Sequence, residues 1–280
     1  MKPLEIVQRT PKTNCGECGH PTCLAFAAAV ANTGADITLC PYIDLQGLEA
    51  SISSPLRDLE NLAGQVAQEH DLALVQHLQK KVSPLDFGSI ASPLGAKWNR
   101  DNPDILYLRY LGQDVILGKT EIRIDNDAVV DPRDQILLYN YVHSCGGRKP
   151  DNTWIGMESL PNSISKVKTL ATYCEQKIAE HLTGKPDHIL KDLAGLLDGY
   201  EGPPDLSSSA TSSLLVPVLP MVPQYLLFWE EEPEDGFAPK AKVLFDRHVL
   251  DFLDLESLVF SAERFAERLV LLMNNYILRH

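Results

Sequence analysis

Four of the six cysteines in this 280-residue chain are Cys15, Cys18, Cys23 and Cys40, spaced C-x2-C-x4-C-x16-C, with Pro41 directly after the last. Thiols at that density can pair as disulfides, hold a tetrahedral zinc ion, or ligate an iron–sulfur cluster. Six cysteines are too few for a disulfide-dense scaffold, and Cys145 and Cys174 lie far from the other four. The start, MKPLEIVQRTPK, has neither the apolar core nor the cleavage pattern of a signal peptide, so the expected location is cytoplasmic. In that compartment clustered thiols bind metal or do redox chemistry. Structural zinc sites usually pair two short C-x-x-C turns across a longer loop. Here one such turn is followed by a third cysteine and a remote Cys-Pro, an arrangement common among cubane clusters. A structural zinc site is the alternative reading of the same spacing.

The residues between the thiols suit an anionic centre. Gly16 and Gly19 permit positive φ and let backbone N–H groups approach sulfur. CLAFAAAVAN, from Cys23, is alanine-rich and follows Thr22, a good N-cap, so Cys23 is expected at a helix N-terminus, where the dipole favours a thiolate. His20 is read as a loop histidine, and Arg9 and Lys12 as surface charges. In YVHSCGGRKP, His143 and Cys145 precede a Gly-Gly turn, but no orienting or oxyanion motif accompanies them. Cys174 is expected as a buried thiol on the apolar side of a helix. The acidic run from Glu230 to Asp235 reads as a solvated loop.

Around these residues the chain alternates helix and strand signals without a regular βαβ order or an internal repeat, so the expected class is α+β. Helices are predicted near Leu56 to Lys80, over DPRDQILLYNYVHSC (entered through Asp131-Pro132), over SKVKTLATYCEQKIAEHL and DHILKDLAGLLDGY, and over DLESLVFSAERFAERLVLLMNNYIL. Two strands are predicted around Gly112, with others in TWIGMESL and AKVLF. LLVPVLPMVPQYLLFW carries Pro217, Pro220 and Pro223. It cannot continue as a helix and is read as an extended core segment, not a membrane anchor. The expected organisation is a small helical iron–sulfur module at residues 1–65, followed by a larger mixed α+β domain at 66–280. A net charge of −13 disfavours nucleic acid and anionic lipid as partners. No G-x-G-x-x-G or P-loop stands out.

NCGECGHPTCLAFA together with Cys40-Pro41 resembles the four-cysteine [4Fe-4S] module of the corrinoid iron–sulfur protein large subunit and of the Rnf complex B subunit. The resemblance covers Asn14 to Pro41. It implies a [4Fe-4S] cofactor ligated by Cys15, Cys18, Cys23 and Cys40, and low-potential single-electron transfer to a redox partner protein, with a corrinoid protein as one candidate acceptor. VPVLPMVPQYLLFWEEEPEDGFAPKAKVLFD and FLDLESL resemble an uncharacterised prokaryotic domain family found behind this same module, for which no activity is implied. The expected function is therefore a one-electron carrier or electron-donating accessory protein of anaerobic metabolism. The alternative is an enzyme whose active site lies in the second domain, with the cluster as its redox or structural centre. That alternative predicts a polar pocket near His143 and Cys145.

Overall fold

The computed structural model describes residues 3–33, 35–43, 69–125, 129–186, 188–234 and 236–277, which form two compact units, one within Met1–Ala67 and one within Gln68–His280. Among its described residues the unit within Met1–Ala67 is helical. Helix α1 (Pro3–Gln8) packs on α2 (Cys23–Thr33), and a 3-10 turn (Ile37–Leu39) brings the chain back. Asp36 caps that turn by accepting from the Thr38 N–H at 2.9 Å. Ile6, Phe26, Ala27, Ile37 and Cys40 form the buried core, with Cys18 packed against it. So small a core is below what normally holds a fold without a metal or a crosslink.

Among its described residues the larger unit has two four-stranded antiparallel sheets with helices packed on them, an α+β architecture. Helix α3, at residues 69–82, ends the expected 56–80 helical stretch; the part before residue 69 lies outside the described residues. Next come α4 (Phe87–Ile90) and the first sheet, in order β1 (Lys97–Trp98), β2 (Ile105–Tyr110), β3 (Gln113–Gly118) and β4 (Ile122–Ile124). The β2–β3 hairpin turns at Leu111-Gly112, as the sequence predicts. Both residues have positive φ, and a Cβ on Gly112 would lie 2.1 Å from the Leu196 carbonyl oxygen. Helix α5 (Pro132–His143) starts with Pro132 in its first turn and with Asp131 accepting from the Arg133 N–H at 2.9 Å.

The second sheet runs β5 (Trp154–Ile155), β8 (Lys240–Asp246), β7 (Val222–Trp229) and β6 (Ser212–Leu219). The proline-rich stretch is thus a hairpin turning at Pro220-Met221, with Pro217 opposite Pro223. β6 is an edge strand, and the β8 ladder reaches β7 only from Gln224 onward, so neither proline removes a needed donor. TWIGMESL is strand only at Trp154–Ile155 and then turns 3-10 over Met157–Ser159.

Helix α6 (Ile164–Leu170) passes through a π turn (Ala171–Glu175) into α7 (Gln176–Leu182). The turn places Glu175 to accept from the Val243 N–H at 3.0 Å, beyond the end of short β5. Helices α8 (Ile189–Ala194) and α9 (Pro204–Ser207) precede the β6–β7 hairpin. Helix α10 (Leu255–Ile277) supplies Leu258, Ala262, Phe265, Ala266 and Leu269 to the core at helical spacing. Among the described residues no helix is long and apolar enough to cross a membrane.

Candidate metal centre

The loop ahead of the first cysteine turn has an unusual backbone. Lys12 (φ 57°), Asn14 (φ 50°) and Gly16 (φ 77°) are all left-handed, and Gly19 (φ 80°) follows. Left-handed residues at every second position turn successive N–H groups into one concavity, which favours an anion. The conformation is strained for Lys12 and less so for Asn14, since Asn tolerates it.

Cys23 is the group that faces this concavity. The backbone N–H of Asn14 first, then the Thr10 hydroxyl and the N–H groups of Lys12 and Thr13, hold its thiol below the ordinary value against the opposing effect of burial. Asn14 also serves the helix: its Oδ1 accepts from the Cys23 N–H at 2.9 Å. Thr22 is the expected cap, its Oγ1 accepting from the Ala25 N–H at 3.0 Å. The α2 N-terminus is therefore satisfied by two side chains, and its dipole points at the thiolate.

Cys40 is buried beside Phe26 and Ile37, Cys18 is half-buried against the same core, and Cys15 is exposed. Tyr42 links the two ends of the motif. Its hydroxyl donates to Glu17 Oε1 at 3.3 Å, and that bond, then the charges of Glu17, Cys15 and Cys40, push the phenol above its ordinary value. Cys15 and Cys40 thus act on one neighbourhood although 25 residues separate them in sequence. Leu24, Leu39 and Tyr42, each next to or near a cysteine, are at least half exposed. His20 lies in the loop with its ring 5.6 Å from that of Phe26, a packing contact.

This donor set fits an iron–sulfur cluster on chemical grounds. It offers four thiols, a concave array of N–H donors, a helix N-terminus and a partly apolar wall. Asn14, Thr10 and Tyr42 are the residues that sequence reasoning passed over. An Asn directly before C-x-x-C, able to adopt a left-handed turn and to cap a helix, was the available signal for the first of them.

The remaining candidates have structural roles. His143 is exposed at the end of α5, and the Cys145 thiol donates to its carbonyl at 3.5 Å. A Cβ on Gly146 would meet Pro93 at 2.5 Å and one on Gly147 would meet Asp251 at 2.3 Å, so the Gly-Gly pair allows close packing. Asp251 then grips Arg148 through Nε and NH2, both at 2.8 Å. None of the three cavities described in the larger unit is lined by His143 or Cys145. Cys174 is fully buried, as expected. Glu231, Glu232 and Glu234 are exposed in their loop. Asp151, Asp246 and His248 bring three ligand atoms within 4.8 Å of one another. Buried Asp246, however, already accepts from the N–H groups of Asp151, Asn152 and His248 at 2.8–2.9 Å, and Asp151 pairs with Arg247. This group stitches the β5–β8 edge.

Comparison with known proteins matches two separate stretches of the chain, an iron–sulfur region and, after it, a domain found in other proteins. The family model "Putative Fe-S cluster" matches residues 11–42. The model "Domain of unknown function (DUF3786)" matches residues 86–268, well over half of the chain, and the protein belongs to that family. The corrinoid/iron-sulfur protein large subunit of Moorella thermoacetica is 44% identical over 69 residues, covering 24% of this chain and 16% of the relative. The gamma 2 component of the acetyl-CoA decarbonylase/synthase complex of Methanosarcina mazei is 51% identical over 39 residues, covering 14% of this chain and 8% of the relative. The B component of the ion-translocating oxidoreductase complex of Vibrio vulnificus is 40% identical over 70 residues, covering 22% of this chain and 34% of the relative. The chain thus spans at most about a third of these relatives' lengths. No solved structure matches the chain. The protein carries an iron–sulfur cluster-binding region at its N-terminal end.

Proposed function

We propose that this protein is a one-electron carrier or electron-donating accessory protein, with a [4Fe-4S] cluster held by Cys15, Cys18, Cys23 and Cys40 in a module at residues 1–65. The observation that carries the reading is the N–H concavity from Lys12 to Asn14 around the Cys23 thiol, built on strained backbone. Strain is retained where a bound group repays it. The cubane type is supported by the spacing, in which one C-x-x-C turn is followed by a third cysteine and a remote Cys-Pro.

When bound, such a cluster supplies a reversible one-electron couple. The chain's own residues determine how that couple is used. Peptide N–H groups favour the more negative state, while Phe26 and Ile37 limit water on the Cys40 side. Exposed Cys15, with Leu24, Leu39 and Tyr42 at the surface, offers a partly apolar edge where a partner can approach. A corrinoid protein is the proposed acceptor, on the strength of the relatives' names. The domain at 66–280 would dock it or hold a small cofactor.

The test is a potentiometric titration of the anaerobically reconstituted full chain, followed by optical and EPR spectra. The expected result is a single reversible n = 1 couple, lost in each Cys→Ser variant at the four positions. A bound cluster that cannot be reduced and reoxidised would leave it a structural centre and end the carrier reading.

A further inference from the structure

The four thiols of the cysteine motif are anchored unequally. Cys40 is buried in the small core with Ile6, Phe26, Ala27 and Ile37, and Cys18 is half-buried against that core. Cys23 is buried at the start of α2, where its N–H is held by Asn14 Oδ1 at 2.9 Å, and α2 in turn packs on α1. Cys15 is the exposed member of the four, in a stretch exposed from Pro11 to Glu17, and a Cβ on the following Gly16 would meet nothing within 4 Å. Its turn closes through the Gly19 N–H on the Gly16 carbonyl at 2.9 Å, and a surface bond from the Tyr42 hydroxyl to Glu17 at 3.3 Å ties it to the return segment.

We propose that Cys15 is the labile ligand, from which a one-electron oxidant extracts a single iron while Cys18, Cys23 and Cys40 keep the other three. The inference rests on the cluster reading above and adds a reversible, oxidant-operated control to the same site. A thiolate leaves its iron only if the sulfur can swing away and water can enter. Cys40 could do so only by opening the apolar core, and Cys23 only by unseating a capped helix N-terminus. Cys15 turns in water with no packing to lose, and the opening of lowest cost dominates. The step balances as [4Fe-4S]2+ giving [3Fe-4S]+, one Fe2+ and one electron, which the oxidant takes. The freed Cys15 thiolate takes up a proton from water. A reductant with Fe2+ runs the step backward and restores the original couple.

The test uses the full chain, reconstituted anaerobically and treated with a small excess of ferricyanide. Released iron and EPR are followed, and iodoacetamide alkylation is mapped by mass spectrometry. Expected are release of about one iron in four and the EPR signal of a [3Fe-4S]+ centre without added reductant. Alkylation at Cys15 should exceed that at each of Cys18, Cys23 and Cys40 by roughly tenfold or more, because only an unliganded, accessible thiol reacts. Dithionite with Fe2+ should restore the iron and protect Cys15 again. Alkylation led by Cys18, Cys23 or Cys40, or release of all the iron together with no three-iron signal, overturns the inference and leaves the cluster reading in place. A reconstituted chain that holds no iron and no sulfide overturns both.

Discussion

Replacing Asp134 by alanine removes the centre of a well-enclosed charge network in the larger unit. Its carboxylate accepts from the Tyr110 hydroxyl at 2.7 Å and from Arg264 Nε and NH2 at 2.7 and 2.6 Å. The side chains of Asp134 and Arg264 are only 11% and 15% exposed, and Tyr110 is fully buried. Truncation therefore leaves a phenol without an acceptor and a guanidinium without its bidentate partner. Breaking a buried pair costs about 3–5 kcal/mol. Because Glu267 still holds Arg264 NH1, the low end, about 3 kcal/mol, is expected for D134A. For a unit of this size, that corresponds to a fall of roughly 6–12 °C in Tm. The control is R123A, which breaks a pair whose two side chains are 65% and 63% exposed and should shift stability by no more than about 0.5 kcal/mol. The assay is thermal and urea unfolding followed by far-UV circular dichroism, with the m-value checked for each variant. A D134A shift below about 1 kcal/mol at unchanged m, or one equal to that of R123A, would refute the claim that burial gives this network its weight.

Three further outcomes follow from the geometry. G112A should lose at least about 2 kcal/mol in urea unfolding, since its left-handed φ and the Leu196 carbonyl both oppose a Cβ; a neutral result would mean that the turn relaxes freely. Asp251, held by the Arg148 hydrogen bonds down to about 2 from an ordinary 3.8, contributes stability that is present above the ordinary value and lost as pH falls toward 2. The gap in Tm between the parent and D251N should therefore shrink between pH 5 and pH 2; its ionic part is about 1 kcal/mol after screening at this exposed pair, and a constant gap would contradict the assignment. N14A removes the acceptor for the Cys23 N–H and places alanine at a positive φ, so iron retained per chain after anaerobic gel filtration should fall. N14G, which keeps the backbone shape, should retain more, and equal retention would remove Asn14 from the site.

What the sequence made legible was mostly local. The Thr22 cap, the Asp131-Pro132 helix start and the Gly112 turn each depend on residues within a few positions, and each appears in the fold as expected. The proline-rich stretch was legible as extended but not as a hairpin, because its turn at Pro220-Met221 lacks the usual Gly or Asn signal. The π turn at Ala171–Glu175 was invisible, since it answers to the uncovered Val243 N–H of a distant strand. The Asp134–Arg264 pair, 130 residues apart, was equally invisible. In the iron–sulfur region the thiols were readable, but the backbone concavity was not. It depends on positive φ at Lys12, a residue type that gives no notice of it.

The central claim is that Cys15, Cys18, Cys23 and Cys40 hold a redox-active [4Fe-4S] cluster, and anaerobic purification with iron, zinc and sulfide analysis and EPR before and after dithionite tests it most directly. About four irons and about four sulfides per chain are expected, with a paramagnetic signal appearing only on reduction. About one zinc per chain, with no sulfide even after anaerobic reconstitution, would contradict it.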